Sequence, residues 1–260
     1  MMAGNITQRT VLVGLGTVGS LLAQQILLAI TGEQNVTGPI QMLELLPVNG
    51  GSSEPFAAEE STDDPSPNWS AQFEQELAVV LRSVSQLRYL DRLHAYSGQR
   101  PYLDEIFVMV LANLAEPWVW SRLPTLLALI RPAVEQTLAC YTGLSAMFLY
   151  LPPDEGEPAV SASTITTAWL SEKLPLPECD RGCFLAGLTN EAGLIIGTAE
   201  QLLARIRFFA SSLITGMALT EADTVGPASH GRLPVVAAVG TAWATWPVEA
   251  LAQALGPRWG

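Results

Sequence analysis

The residues whose types and spacing most clearly indicate a binding function lie near the amino terminus, in the stretch TVLVGLGTVGSLLAQQ. Gly14, Gly16 and Gly19 have G-x-G-x-x-G spacing between an apolar run and a helical pattern. In a strand–turn–helix, the first glycine permits a tight turn, the second lets a phosphate approach the backbone, and the third lets helix and strand pack closely. Thr17 and Ser20 add hydroxyl groups near the helix start. The pattern predicts a nucleotide cradle, and the alternative is a close strand–helix contact without a ligand.

Glu44 is the candidate for an acid that binds a ribose. It follows Gly19 by 25 residues, whereas the ribose-binding acid of dinucleotide-binding domains lies about 20 residues after the motif. Glu44 falls within the second apolar run rather than at its end, which weakens that role. There is no Walker lysine, so the motif alone does not choose between NAD, adenylates and guanine nucleotides.

The other polar and sulfur side chains form no complete catalytic or metal site. A zinc site needs about four ligands, and Cys179-x3-Cys183 has no second pair of ligands. We therefore expect no metal, and we expect the cysteines to be buried thiols in a reducing compartment. We also expect both histidines to lie outside any catalytic centre and the acids after the third long apolar run to be solvated: His94, His230, Asp154, Glu155 and Glu157.

Composition excludes several classes of function. The 260 residues are 49% hydrophobic and 15% charged, which is enough apolar material for a sizeable core. The formal net charge is −12, and nucleic-acid binding depends on basic side chains that neutralise phosphates. We therefore expect no nucleic-acid partner. No signal-peptide pattern and no run of roughly 18 uninterrupted apolar residues is present, so we expect a cytoplasmic protein without a membrane span.

The candidate residues must be positioned by alternating strands and helices. Val11 to Val13, Pro39 to Leu46, Glu105 to Leu114, Gly143 to Pro153 and the start of Arg181 to Gly193 predict buried strands. Helical periodicity spans residues 21–30, 71–94, 121–138 and 161–173. Within residues 121–138, Pro132 is predicted to kink or split the helix. A further helix begins at Thr198, which has capping-box spacing with Gln201. This alternation predicts a doubly wound, mostly parallel α/β sheet of the Rossmann-like type.

The predicted organisation is one main domain with a short extension. Residues 1–220 form the α/β domain, and residues 221–260 form a strand–helix extension that packs on it. Residues 50–68 are rich in Gly, Pro, Ser and acidic residues, a composition typical of mobile loops. An exposed acidic loop of this kind is also a candidate contact for a basic partner.

Five segments, in this order, carry a resemblance to a known family: TVLVGLGTVGSLLAQQI, IFVMVLANLAEPW, LYLPP, CFLAGLTNEAGL and VGTAWATWPVEAL. Together they resemble the bacterial tubulin-like proteins, distant relatives of tubulin and FtsZ. The resemblance implies the nucleotide-binding fold of that superfamily, with GTP or GDP at the carboxyl ends of the strands. It assigns Gly14, Gly16, Thr17, Gly19 and Ser20 to the first nucleotide loop.

By the same resemblance, Asn190 lies near the base, subunits stack, and the next subunit supplies the acids for hydrolysis. Glu221 and Asp223 lie in roughly that region, but they do not reproduce the FtsZ pattern. Two solvated loop acids are the simpler interpretation.

The chain departs from tubulin and FtsZ after its central strand. Those proteins have a glycine-rich phosphate loop there, whereas this chain has NLAEPWVWS. Glu116 would repel phosphate, Pro117 has no N–H to donate, and Trp118 and Trp120 are bulky where the backbone must come close. A nest of N–H groups is therefore not expected, and the phosphate end of the pocket is predicted to be degenerate.

The sequence thus favours a tubulin-like assembly or scaffold subunit with a weakened or lost GTP site. Its expected partners are proteins or further copies of itself, and we expect poor GTPase activity or none. One alternative is a Rossmann-type enzyme that binds NAD or an adenylate, with Glu44 on the ribose. The other alternative is an interaction module that takes no nucleotide.

Overall fold

The computed structural model describes residues 6, 8–32, 39–46, 69–152, 158–170, 179, 181–188, 197–215 and 236–238. Six strands in these ranges form one sheet in the order β2-β1-β3-β4-β5-β6, and every neighbouring pair is parallel. The strands are β1 (Gln8–Leu15), β2 (Ile40–Leu45), β3 (Tyr102–Asn113), β4 (Tyr141–Tyr150), β5 (Cys183–Gly187) and β6 (Val236–Ala238). The predicted parallel α/β fold is therefore confirmed.

The helices are α1 (Gly16–Thr31), α2 (Trp69–Val84), α3 (Leu87–Ser97), α4 (Pro117–Leu138), α5 (Ala162–Leu170) and α6 (Ala199–Ile214). The chain moves from β1 outward to β2, and then back across the sheet to β3 and β4. Right-handed crossovers therefore place α1 on one face and α2 and α4 on the other. Consistent with this arrangement, α1 contacts α6, and α2 contacts α4.

The two central strands form the core because helices cover both of their faces. Seven successive residues of β1, from Arg9 to Leu15, are buried, as are the last six residues of β3. Such continuous apolar runs are typical of parallel strands covered on both sides. This explains why apolar runs located these strands in the sequence, where alternation would have failed.

Three helix predictions need correction. The periodic stretch 71–94 forms two helices, because the chain turns at Ser85 and Gln86 before α3 begins. Helix α4 begins at Pro117 rather than near residue 121, since proline is well suited to a first turn whose N–H groups have no partner within the helix. The same helix runs unsplit through Pro132.

The capping box at the start of α6 is confirmed. The Thr198 side chain accepts from the Gln201 N–H at 3.2 Å, and the Gln201 side chain accepts from the Thr198 N–H at 3.1 Å. The acidic segment 50–68 and the division at residue 220 lie outside the described residues. Within the described part of the chain, no helix has the length and apolar character needed to cross a bilayer.

Candidate functional site

The sheet has a topological switch point at the carboxyl ends of β1 and β3. These neighbouring strands continue in opposite directions, β1 to β2 and β3 to β4. In open α/β sheets, ligands bind in the crevice that such a reversal leaves between the two following loops. Here the loops are the glycine turn that ends β1 and the residues Leu114 to Glu116 that follow β3.

The three glycines are required by close contacts of the backbone. A Cβ on Gly19 would lie 2.3 Å from the carbonyl oxygen of Leu111, so α1 passes directly over β3 at this point. A Cβ on Gly14 would lie 2.6 Å from the Cα of Ser20. The first and third glycines therefore allow the tight turn and the close helix–strand contact that the spacing predicts.

Gly16 makes room for a side chain of the protein itself. Its φ is +76°, a conformation that L side chains rarely adopt. A Cβ there would lie 2.4 Å from Oε2 of Glu116 and 2.4 Å from Cγ2 of Val119. The space that a phosphate would use beside a nucleotide-binding turn thus lies next to the Glu116 carboxylate.

Glu116 binds the N–H groups at the start of α1. The N–H of Thr17 donates to Oε2 of Glu116 at 3.0 Å, and the N–H of Val18 donates to Oε1 at 3.2 Å. Helix N-termini attract anions because their first N–H groups lack partners and the helix dipole is positive there. The Glu116 carboxylate thus occupies the anion position at the start of α1.

Two effects act on the ionisation of Glu116. The side chain is half-buried, and burial penalises the charged form. The two N–H donors favour the charged form, but burial has the larger effect, so the pKa of the Glu116 carboxyl is raised above its usual range. The fold therefore holds the carboxylate in the crevice, although its charged form would be more stable in water.

The loop after β3 uses its own backbone donors internally. The N–H of Leu114 donates to the Leu149 carbonyl at 2.8 Å, and the N–H of Glu116 donates to the Asn113 carbonyl at 3.2 Å. The N–H of Ala115 donates to Oδ1 of Asn113 at 3.3 Å, and Pro117 has none. These N–H groups do not form the nest that would cradle a phosphate, as the sequence predicts.

Asn113 fixes this loop to the next strand. Its Nδ2 donates to the Leu151 carbonyl at 2.9 Å, and its Oδ1 accepts from the Leu151 N–H at 3.0 Å. The side chain is buried, with 3% of its surface exposed. Asn113 therefore holds the ends of β3 and β4 together and does not face the crevice. No local pattern in the sequence indicates this role.

The two hydroxyl residues of the glycine loop point in different directions. Ser20 is buried, and its Oγ donates to the Gly14 carbonyl at 3.2 Å, which ties the first turn of α1 back onto β1. Thr17 is exposed and contributes its N–H to Glu116. A role in nucleotide binding stays a prediction for both residues.

Glu44 lies one residue before the end of β2, opposite Gly14 in the register of the sheet. Its Oε1 accepts from Nε2 of Gln24 on α1 at 2.9 Å. The carboxylate is thus near the glycine turn in register and is bonded to the third turn of the helix. Asn190, Glu221 and Asp223 lie outside the described residues, so their predicted roles remain predictions.

Trp118, which follows β3, and Trp69 both contact an arginine. The guanidinium of Arg122 lies 4.9 Å from the ring centroid of Trp118 and 5.6 Å from that of Trp69 at the start of α2. Cation–π contacts of this geometry are attractive. Trp118 therefore helps to join α4 to α2 and is half-buried against the core.

The remaining candidates for catalysis or metal binding are the cysteines, the histidines and the acids after β4. All three cysteines are free; Cys179 and Cys183 are buried, and Cys140 is partly buried. His94 is exposed on α3, with Nδ1 at 2.8 Å from the Gln99 carbonyl. Within the described ranges, no three metal-binding side chains cluster. His230, Asp154, Glu155 and Glu157 lie outside those ranges.

Comparison of the chain with family models, with curated proteins and with solved structures returned no match. The functional interpretation therefore depends on the switch point and its residues.

Proposed function

We propose that this protein is an assembly or scaffold subunit of a larger complex, built on a tubulin-like α/β domain whose GTP site is weakened or lost. It binds other proteins or further copies of itself in the cytoplasm. In this proposal, the protein keeps the fold of a nucleotide-binding domain but no longer binds phosphate as such a domain does. GTP or GDP remains the ligand to test first.

The observation that carries this proposal is the position of the Glu116 carboxylate. A nucleotide phosphate and this carboxylate would compete for the same N–H groups of Thr17 and Val18. A phosphate that entered beside the carboxylate would meet a like charge in a half-buried crevice, where repulsion is stronger than in water. The protein therefore carries its own anion at the place where the nucleotide should supply one.

A second observation concerns the outer surface of α1, and it supports a binding role. The helix has no charged residue from Gly16 to Thr31, although surface helices usually carry charge on their outer side. Leu21 and Leu28 are two helical turns apart on that side, with 44% and 41% of their surface exposed. An uncharged face with exposed leucines is suited to contact with another protein.

Free thiols support the cytoplasmic assignment. None of the three cysteines is in a disulfide, and free cysteines are typical of reducing compartments.

Two measurements on the purified full chain test the proposal. The first is differential scanning fluorimetry with GTP, GDP, ATP and NAD, each with magnesium, where we expect no shift of Tm. The second is multi-angle light scattering over a range of protein concentrations, where we expect a stable oligomer or a mass that rises with concentration. Brisk GTP hydrolysis by the isolated protein would refute the loss of the site.

The alternative of an NAD- or adenylate-dependent enzyme is favoured by one observation, the register position of Glu44 opposite Gly14. It predicts a higher Tm with NAD or ATP but not with GTP, and loss of that effect in Glu44→Ala. If no nucleotide changes Tm and the chain is a monomer at every concentration, neither a nucleotide enzyme nor a self-assembling subunit is supported. The remaining test of a scaffold role would then be a complex with another protein.

A further inference from the structure

The outer face of α6 carries five exposed residues in a regular arrangement: Glu200, Gln201, Ala204, Arg207 and Phe208. Residues seven apart in an α-helix lie on the same side, about 10 Å apart along the axis. Glu200 and Arg207 therefore lie along one edge of this face. Gln201 and Phe208 lie along the other edge, and Ala204 lies between the two. We call these five residues the α6 face.

The charged and aromatic side chains of the α6 face are not used within the described part of the chain. Glu200 and Arg207 make no ion pair with any side chain of the described ranges. Phe208 has 65% of its surface exposed, whereas the ring of Phe209 packs edge-to-face on Phe184 with centroids 5.1 Å apart. The helix thus packs on the sheet through one ring and leaves the other at the surface. Exposed aromatic and arginine side chains are enriched in protein interfaces.

The α6 face is complementary to itself when a second copy of the helix runs antiparallel to it. A two-fold axis beside Ala204 places Glu200 of each copy opposite Arg207 of the other, because the two are almost equally far from Ala204 along the helix. Such isologous contacts pair the same two residues twice. The same axis places Phe208 opposite Gln201. Ala204 lies at the centre, where a small side chain lets two helices approach closely.

Charge favours a second copy of the chain as the partner. Each chain has a formal net charge of −12, so two copies repel one another unless their contact brings opposite charges together. The α6 face does this at two places, and Arg205, the other charged residue of α6, is half-buried. The neighbouring helix α1 contacts α6 and adds no charge from Gly16 to Thr31. This side of the described structure therefore offers a second copy opposite charges beside an uncharged helix.

We propose that two copies of the chain pair through the α6 face, antiparallel about a two-fold axis beside Ala204. This inference rests on the proposed function, because it names a second copy as a partner of the assembly subunit. Helices α1 and α6 have 16 residues each. Side by side they are about 24 Å long and about 10 Å apart, which presents roughly 500 Å² in projection. Standard interfaces bury about 800 Å² per partner, so we expect a weak dimer with a micromolar Kd.

Exchange of the two charges between copies tests the pairing. The full chain is prepared as wild type, Glu200→Arg and Arg207→Glu, and the mass of each is measured by sedimentation from micromolar to millimolar concentration. Wild type should approach twice the 27.8 kDa of one chain. Each variant alone places like charges opposite one another, so its Kd should be at least about tenfold higher. In an equimolar mixture, the two introduced charges face each other and the two native charges face each other, so pairing should return.

Matched controls are the same charge reversals at exposed positions of other helices. Glu74→Arg on α2 and Arg88→Glu on α3 should pair as wild type does. The Tm of every variant is measured, because Glu200 lies in the first turn of α6, where an acid stabilises a helix. Should Glu200→Arg fail to fold, Arg207→Glu and Phe208→Ser still test the pairing. Each of these two should raise the Kd at least about tenfold.

The possible failures are distinguishable. If wild type assembles and both α6 charge variants assemble equally well, the pairing is wrong and the assembly role stands. If the single variants are monomers but their mixture does not pair, the antiparallel arrangement is wrong. Wild type that stays at one chain up to millimolar concentration would overturn the pairing, although a complex with another protein would still support a scaffold role. Brisk GTP hydrolysis by a chain that pairs in this way would refute the loss of the GTP site alone.

Discussion

Four glycine-to-alanine substitutions separate the two reasons for which this fold uses glycine. Gly19 has only a close contact, since its added Cβ would lie 2.3 Å from the Leu111 carbonyl oxygen. Gly98 has only a positive φ of +68°, with open space around its Cβ position. Gly16 has both features, and Gly187 has neither. The four variants therefore form a matched set.

The expected losses follow from these geometries. In Gly19→Ala, α1 and β3 must separate by about 1 Å to restore ordinary contact, because the opposing atom belongs to the backbone. Overpacking of a core costs about 1–3 kcal/mol, and we expect the upper end, roughly 3 kcal/mol, or a fall in Tm of about 6–12 °C for a domain of this size. The strain in Gly98→Ala should cost about 1 kcal/mol.

Gly16→Ala combines strain with contact, so we expect a loss of about 3 kcal/mol or more. Gly187→Ala should be neutral or stabilising by about 0.5 kcal/mol, because alanine has less freedom to lose on folding. Urea unfolding followed by tryptophan fluorescence measures all four on one scale. If Gly19→Ala is as stable as Gly187→Ala, α1 does not pass over β3 as described, and the geometry of the switch point is wrong.

Three further predictions concern the loop after β3 and the surface of α1. Asn113→Ala leaves the buried N–H and carbonyl of Leu151 without their side-chain partner, so urea unfolding should show a loss of about 2–4 kcal/mol; a loss below about 0.5 kcal/mol would contradict this role. Because burial raises the folded-state pKa of Glu116, its contribution to stability is complete below pH 4.5 and is lost as the pH rises through that pKa. Wild type should therefore lose stability relative to Glu116→Gln between pH 4.5 and 7, and an opposite trend would show that the N–H donors outweigh burial. If the uncharged face of α1 mediates assembly, Leu28→Lys should lower the mass seen by light scattering, whereas Leu87→Lys, at an even more exposed position on α3, should not; equal effects would exclude this face.

The glycine turn and the positions of the buried strands along the chain could be predicted from sequence because their determinants are local. The spacing of Gly14, Gly16 and Gly19 encodes a turn that the neighbouring residues complete by themselves. Apolar runs such as residues 105–114 identify buried strands, since both faces of a central parallel strand are covered. The box formed by Thr198 and Gln201 is equally local.

Predictions failed where the local signal was ambiguous. The break between α2 and α3 falls at Ser85 and Gln86, which are neither Gly nor Pro, and the apolar period continues beyond them at Leu87 and Leu90. Periodicity alone therefore joined two helices into one. At Pro132 a kink or a split was predicted, and the split is wrong because α4 continues to Leu138.

The role of Glu116 could be predicted only in part. Its sequence position beside Pro117 indicated a poor phosphate loop, and the backbone bonds of Leu114 to Glu116 agree with that. The contact with Thr17 and Val18 depends on β3 lying next to β1, a pairing between segments about 100 residues apart. From the sequence, the carboxylate is expected to repel a phosphate, whereas in the fold it is itself the anion bound at the start of α1.

Under the proposed function, Glu116 fills the anion position of the glycine turn and closes it to nucleotides. Isothermal titration calorimetry of GTP with magnesium into the full chain, at neutral pH, measures whether that position is closed. We expect no saturable heat up to millimolar nucleotide. Saturable binding of one GTP per chain would contradict it, because that ligand would have to displace the carboxylate from Thr17 and Val18.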